Sequence, residues 1–269
     1  VTHASWNFFS KKISGNLTSF WIGSMCVDLV LLPITIYIIS KQGFNFTGAI
    51  PILISAIAHS VYYFTLFSSY KFGDISAVYP IARGSGIAIT TLIAICFLQD
   101  EISNRGLMGI TLIISGVLLI GFSGKLTKSS IKGYGFALLT GLTTAAYSLA
   151  DSRGAGMNHP IVCINVMSIT SLIVIMPFVF RHGIQQTLEK SRDKIKYAPI
   201  IGLGSLGTYL IIMFAFSLSD QTSCIVALRE CSVIIGSILG FVILKEKPTP
   251  KKILGIILIT CGLILIKMV

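Results

Sequence analysis

The chain has 269 residues, 54% of them hydrophobic and only 12% charged, with a formal net charge of +11. Soluble domains carry about a quarter charged residues, so a soluble globular protein is excluded. The apolar residues come in runs of about 18–25, the length that a bilayer core of about 30 Å demands. The positive charge lies in the breaks between runs, which suits lipid headgroups and argues against nucleic acid as a partner.

Taken in chain order, the runs predict ten spans. The first is 1–10. The second, 17–40, follows Lys11-Lys12 and closes at Lys41-Gln42-Gly43. The third is 49–70, and the fourth, 74–98, is interrupted by Pro80 and the Gly84-Ser85-Gly86 step. The fifth is 105–123, the sixth 133–150 and the seventh 160–180. A mixed-charge loop, 181–197, comes next; Ile184, Leu188 and Ile195 allow it one weak apolar stripe, so it reads as a solvated connector or a short interfacial helix. The eighth span is 198–218, the ninth 221–244 and the tenth 251–268. These runs are too long and too uniformly apolar for barrel strands, so the expected fold is an all-α polytopic membrane protein of ten transmembrane helices. Setting Trp6-Asn7 against Tyr147-Ser148 puts the start of the first span upstream of Val1, so that helix is expected to be truncated at its N-terminus.

Residues 72–120 repeat at 218–266 with a shift of 146 positions. Asp74 falls on Asp220, Arg83 on Arg229, Leu98 on Leu244, Gly109 on Gly255 and Gly116 on Gly262; upstream, Tyr63 falls on Tyr209. The expected organisation is a first repeat over 1–123, a linker over 124–132 and a second repeat over 133–269. Five spans per repeat is an odd number, so the second copy inserts upside down relative to the first. That makes an inverted repeat about a pseudo-two-fold axis in the membrane plane. Gly109 and Gly116, like Gly255 and Gly262, are seven residues apart on one helix face and suit close helix contact, either internal or in a homodimer. The breaks after odd-numbered spans hold fifteen of the 21 Lys and Arg residues, against four in the even breaks and the C-terminal end. The positive-inside rule then places the odd loops in the cytoplasm and both termini outside.

Candidate functional residues are the polar groups that interrupt these runs. Arg83 lies about nine residues, or about 13 Å, into its helix, near the midplane, and Arg229 lies equally deep from the other side. A charge at that depth costs several kcal/mol unless it meets water or a partner. Either the guanidiniums grip an anionic group in a wet cavity, or they are locked internally to Glu230, Asp28 or backbone carbonyls. Pro80 frees the carbonyl of Ser76 and, with Gly84 and Gly86, marks a hinge or a packing kink. Asp28, midway in the second span, is a candidate proton carrier or a neutraliser of an arginine, and Glu230 has the same two options. Trp6, Asn7, Tyr63, Tyr79, Tyr147 and Tyr209 supply stacking faces and hydrogen bonds for an amphipathic solute, or pack. His59 sits four residues before Tyr63 and so on its face, as a buried histidine or a proton relay. All six cysteines lie inside apolar runs with no CxxC and no Cys/His cluster, so no metal site, disulfide or cofactor is expected.

The stretch Ser76-Ala77-Val78-Tyr79-Pro80-Ile81-Ala82-Arg83-Gly84 resembles the fourth-span motif of the drug/metabolite transporter superfamily, in its EamA-like branch. The break Gln99-Asp100-Glu101 before a Gly-containing helix, the opening His3-Ala4-Ser5-Trp6-Asn7 and the segment Leu244-Lys245-Glu246-Lys247 are similar to the same family. The resemblance implies ten helices in an inverted repeat and export or exchange of small metabolites such as amino acids. It also implies both termini in the cytoplasm, against the charge distribution.

The function expected is a secondary transporter of a small polar metabolite, an amino acid or related anionic or zwitterionic solute, in the cell (inner or plasma) membrane. It would work by alternating access around a midplane site, with membrane lipids as partners, possible proton coupling, and a monomeric or homodimeric state. A receptor or structural membrane protein is the alternative. An intramembrane enzyme is disfavoured because no His-x-x-Glu-His or Gly-x-Ser-x-Gly pattern is present.

Overall fold

The computed structural model describes residues 2–98, 103–121, 127–154, 156–218 and 235–267. Among these the chain is helical throughout, without strands. The helices are α1 (Thr2–Lys12), α2 (Leu17–Gln42), α3 (Ala49–Phe72), α4 (Ile75–Leu98), α5 (Asn104–Gly121), α6 (Lys128–Gly154), α7 (Pro160–Val179), α8 (Ile184–Ile195), α9 (Ala198–Leu218), α10 (235–242) and α11 (Pro250–Lys267). A 3-10 turn, Phe46–Gly48, leads into α3. Most of the ninth predicted span, with Arg229 and Glu230, lies outside the described residues.

Among the described residues, three elements are long and apolar enough to cross a bilayer unaided: Leu17–Gln42, Phe46–Phe72 and Pro160–Val179. The α8–α9 pair passes the same test as a span broken by an 83° bend. Helix α3 shows why these helices sit in lipid. Ile50, Leu53, Ile54, Ile57, Val61 and Phe64 form an exposed stripe at helical spacing, while Ser55, His59 and Ser60 are buried. A soluble helix turns its polar face outward; this one does the reverse.

The predicted boundaries shift at two places. Helix α6 begins at Lys128, five residues ahead of the predicted span, because Lys128-Ser129-Ser130 forms its first turn. The segment 181–197 folds as α8 between loops, turned sharply against α9. Helix α4 runs unbroken through Pro80, Gly84 and Gly86. Gly84 packs against Ile113, Val117 and Ile259, and Gly86 against Thr144 and Gly141, so both serve close helix contact.

The chain forms two compact units that do not follow the repeat boundary. One comprises 65–145 and 223–269, the other 2–64 and 146–222, so each draws on both predicted repeats. In the first unit α5 packs on α11, and α4 on both. Gly116 meets the backbone of Gly255 and Ile259, while Gly262 meets that of Gly109 and Ile113. These two contacts exchange with one another under the 146-residue shift, and the chain directions oppose, so the interface is self-complementary.

The same unit is tied at the start of α4. Both carboxylate oxygens of Glu246 accept from backbone N–H groups, Oε1 from Ile75 at 2.8 Å and Oε2 from Ser76 at 2.9 Å. The buried Lys252 ammonium donates to Asp74 Oδ2 at 2.9 Å and to Ser76 Oγ at 3.3 Å. Glu246 thus satisfies two of the orphan donors of a helix N-terminus and meets its positive dipole end. Replacing Glu246 with Ala should lower stability by about 1–3 kcal/mol, read as a lower midpoint in thermal or denaturant unfolding of the detergent-solubilised protein. An unchanged midpoint would show that the cap contributes nothing.

In the second unit α2 packs against α7, α8 and α9, and α9 also against α1 and α7. Gly23 of α2 and Gly202 of α9 lie backbone to backbone, which brings the two helices together closely. Ile52, Ala56, Cys163, Ile164, Met167, Leu206 and Met213 form an apolar core there.

Candidate functional site

The second unit carries a buried polar and aromatic cluster built from five helices. Asp28 of α2 is fully buried. Its carboxylate accepts from Ser168 Oγ at 2.6 Å and from Asn165 Nδ2 at 3.2 Å, and Nδ2 also donates to the Asp28 carbonyl at 3.0 Å. Ser168 follows Asn165 by three residues, so both reach the same face of α7. Among the described residues no lysine or arginine pairs with Asp28; its partners are an amide and a hydroxyl.

Both groups that meet Asn165 Nδ2 are acceptors, which fixes the amide orientation and sends Oδ1 the other way. That oxygen is buried with no hydrogen-bond partner among the described residues. Ser24 Oγ, one turn before Asp28 on α2, is in the same condition. Buried acceptors are rarely left bare in folded proteins, so Asn165 Oδ1 calls for a donor, while the Ser24 hydroxyl can donate or accept.

Next to it lies the aromatic group. Tyr63 of α3 has its ring 4.3 Å from that of Phe20, its hydroxyl bonded to Ser205 of α9, and Asp28 within electrostatic reach. His59 stacks on Tyr147 of α6 with centroids 4.0 Å apart and planes at 26°. Tyr209 of α9 meets the His59 ring edge-on at 5.0 Å, and Tyr62 and Tyr63 approach it at 6.0 and 5.8 Å. His59 Nδ1 lies 2.9 Å from the carbonyl oxygen of Ser55, which can only accept. The Ser55 hydroxyl lies 3.1 Å from the same nitrogen, so His59 is held to its own helix through Ser55. Beyond the tyrosines, the Tyr209 hydroxyl donates to Asp151 Oδ2 of α6. A void of about 10 Å³, room for one water, lies against Asp151, Tyr209, Cys163 and Met167.

Of the candidates read from the sequence, Asp28, His59, Tyr63 and Tyr209 thus belong to one cluster. Trp6 and Asn7 are buried in the same unit, where Trp6 packs over Gly204 of α9. Arg83 and Tyr79 are described in the other unit. Arg83 is 4% exposed with its guanidinium carbon 5.7 Å from the Tyr79 ring centre, and Gly236 of α10 lies against the Tyr79 ring as well. Sequence reasoning missed Asn165, Ser168, Asp151 and Tyr62. Asn165 and Ser168 were detectable as two polar groups at helical spacing in an otherwise apolar span. Asp151 sits one residue past the predicted end of the sixth span and so passed for a loop residue.

Tyr209→Phe removes a hydrogen bond to a carboxylate, worth about 1.5–3 kcal/mol. It should slow transport by about tenfold or more in reconstituted vesicles while keeping the ring contacts. Wild-type rates would show the hydroxyl to be idle.

The model of the EamA-like transporter family matches residues 131–268, just over half the chain. The chain belongs to the EamA-like transporter family. Its earlier part, residues 21–113, also matches the model of the Small Multidrug Resistance protein family. Two relatives are multidrug resistance proteins by name. The multidrug resistance protein EbrA of Bacillus atrophaeus is 31% identical over 70 residues, which is 26% of this chain and 67% of EbrA. EbrA of Bacillus subtilis (strain 168) is 29% identical over a stretch of the same length. A solved crystal structure is similar over 99% of this chain and 95% of its own, with a TM-score of 0.59. At 14% identity that likeness speaks for the fold alone. This EamA-like protein is an integral membrane transporter of a small molecule.

Proposed function

We propose that this EamA-like protein is a secondary transporter that moves a small amine-bearing metabolite, zwitterionic like an amino acid, outward across the plasma membrane by alternating access. The observation that carries the reading is the bare acceptor Asn165 Oδ1, with the unpartnered Ser24 hydroxyl, beside the buried Asp28 carboxylate. An ammonium is a charged multiple donor and suits a carboxylate and a bare amide oxygen; a solute with only a carboxylate brings no such donor. The tyrosine and histidine rings beside them add faces that attract a cation. One carboxylate can hold a proton or an ammonium but not both, and that competition couples solute movement to a proton gradient, with His59 as a second proton holder. The site draws α2 and α3 from the first predicted repeat and α6, α7 and α9 from the second. A site held jointly by two copies is where inverted-repeat carriers alternate, and the exchanging glycine contacts of α5 and α11 support that repeat reading. The multidrug relatives favour export as the direction.

A thermal-shift screen of the purified protein against amines, amino acids and their deaminated analogues tests the reading, because a binder stabilises the state that it occupies. Amines or amino acids should raise the midpoint in proportion to the logarithm of concentration, and deaminated acids should not. A response confined to the deaminated acids would overturn it.

A further inference from the structure

At one end of the second unit, cationic groups gather around an apolar groove. The groove, about 440 Å³, is lined by Ile22, Cys26, Val30 and Leu31 of α2 and by Ile195 and Leu203 at the elbow where α8 turns into α9. From Ile22 to Leu31 it follows α2 for about 13 Å, deep into the apolar layer. Helix α8 lies at 83° to α9, the attitude of a helix in the plane of the membrane surface. It buries Thr187 and Ser191, Ser191 accepting from Asn16 Nδ2 at 3.1 Å, and leaves Ile184 and Leu188 exposed.

The charge at this end is lopsided. Lys11, Lys12, Arg181, Lys190, Arg192, Lys194 and Lys196 are offset in number only by Glu189 and Asp193. Two of the ammoniums converge on one ring: Lys12 Nζ is 5.4 Å and Lys196 Nζ 5.5 Å from the centre of Tyr197, so they lie no more than about 11 Å apart. Among the described residues neither reaches a carboxylate. An anion at this ring is attracted by both ammoniums. Tyr197 adjoins Ala198, the first residue of α9, at the elbow where the groove begins.

We propose that this elbow binds one anionic phospholipid, its phosphate between Lys12 and Lys196 and one acyl chain in the groove along α2. The site tethers α8 to the leaflet that holds the basic loops. Because α8 is joined directly to α9, which supplies Ser205 and Tyr209 to the aromatic cluster, the lipid braces the helix that the transport site uses.

Native mass spectrometry of the full-length detergent-purified protein, given phosphatidylglycerol and phosphatidylcholine in equal amounts, tests the proposal. One phosphatidylglycerol should be retained in preference to phosphatidylcholine. Two surface lysines contribute about 1 kcal/mol each, so Lys12→Ala with Lys196→Ala should cut that preference about 30-fold. Val30→Trp, on the lipid-facing side, should weaken retention with all charges intact. Equal retention of the two lipids by the wild-type protein would overturn the proposal, and that comparison needs no variant to fold. So would competition by inorganic phosphate as effective as that by the lipid, which would mark a headgroup site without the groove.

Discussion

Replacing Asp28 with Asn is expected to abolish transport while leaving a folded, inserted protein. The two side chains have the same shape. The amide oxygen that the substitution introduces still accepts from Ser168 Oγ, and Asn165 Nδ2 keeps its bond to the backbone carbonyl of residue 28 while losing the one to the side chain, so most of the α2–α7 contact survives. The charge is lost, and with it both the partner for an ammonium and a place for the coupled proton. A hydrogen bond to a charged group is worth about 1.5–3 kcal/mol, and the loss of proton exchange costs at least about a hundredfold in rate. Uptake into proteoliposomes under an imposed pH gradient measures the rate, and the unfolding midpoint in detergent measures the fold. Amine-induced thermal shifts should vanish in the same variant. Wild-type uptake by Asp28→Asn would remove Asp28 from the mechanism, and a protein that fails to fold would make Asp28 a structural tie between α2 and α7.

The second large effect is expected at Arg83. A guanidinium in the interior of a 24-residue apolar helix costs about 2.5–3.5 kcal/mol of insertion free energy or more. Arg83→Ala removes that cost, so insertion should be unimpaired or improved, yet transport should be lost. Arg83→Lys keeps the charge but loses the planar fork that rests by Tyr79, and should restore little. Arg229→Ala should impair transport less, since Val226 stands in its half where Pro80 stands in the other. Paired assays of membrane yield and vesicle uptake separate the outcomes. Lost yield in Arg83→Ala would identify an internal lock, and unimpaired uptake would exclude the residue from the transport cycle.

Much of the helical frame is legible in the sequence because lipid allows so few solutions. Runs of apolar residues between Lys-rich or Gly-rich breaks locate α2, α3, α7, α9 and α11 to within about two residues, since a span that ends early exposes backbone to hydrocarbon. Helix α8 is harder to read. Its apolar stripe is only Ile184, Leu188 and Ile195, among residues that a solvated loop would also carry, and its attitude depends on contacts such as Asn16 with Ser191 far away in sequence. The 146-residue shift picks out Gly109, Gly116, Gly255 and Gly262 as contact residues, and they meet in the α5–α11 crossing.

The site is legible in part. Asp28 and His59 stand out because a titratable group in a span is costly, and Tyr63 and Tyr209 because the repeat pairs them. What a single span cannot reveal is which polar group on another helix answers it. Asn165 and Ser168 look like ordinary small polar residues until α7 is set against α2. The two arginines within predicted spans suggest an anionic or zwitterionic solute. Asp28 with the bare Asn165 Oδ1 beside it turns the proposed solute toward its amine end.

Counterflow tests the central claim most directly. Vesicles containing the protein are loaded with unlabelled amino acid and diluted into a trace of the same solute in radiolabelled form. A carrier with an amine site accumulates label transiently above equilibrium, and loading with the deaminated analogue abolishes the overshoot. No overshoot with any amine-bearing solute that shifts the unfolding midpoint, or an overshoot as large in Asp28→Asn as in the wild type, would contradict the assignment of this cluster as the transport site.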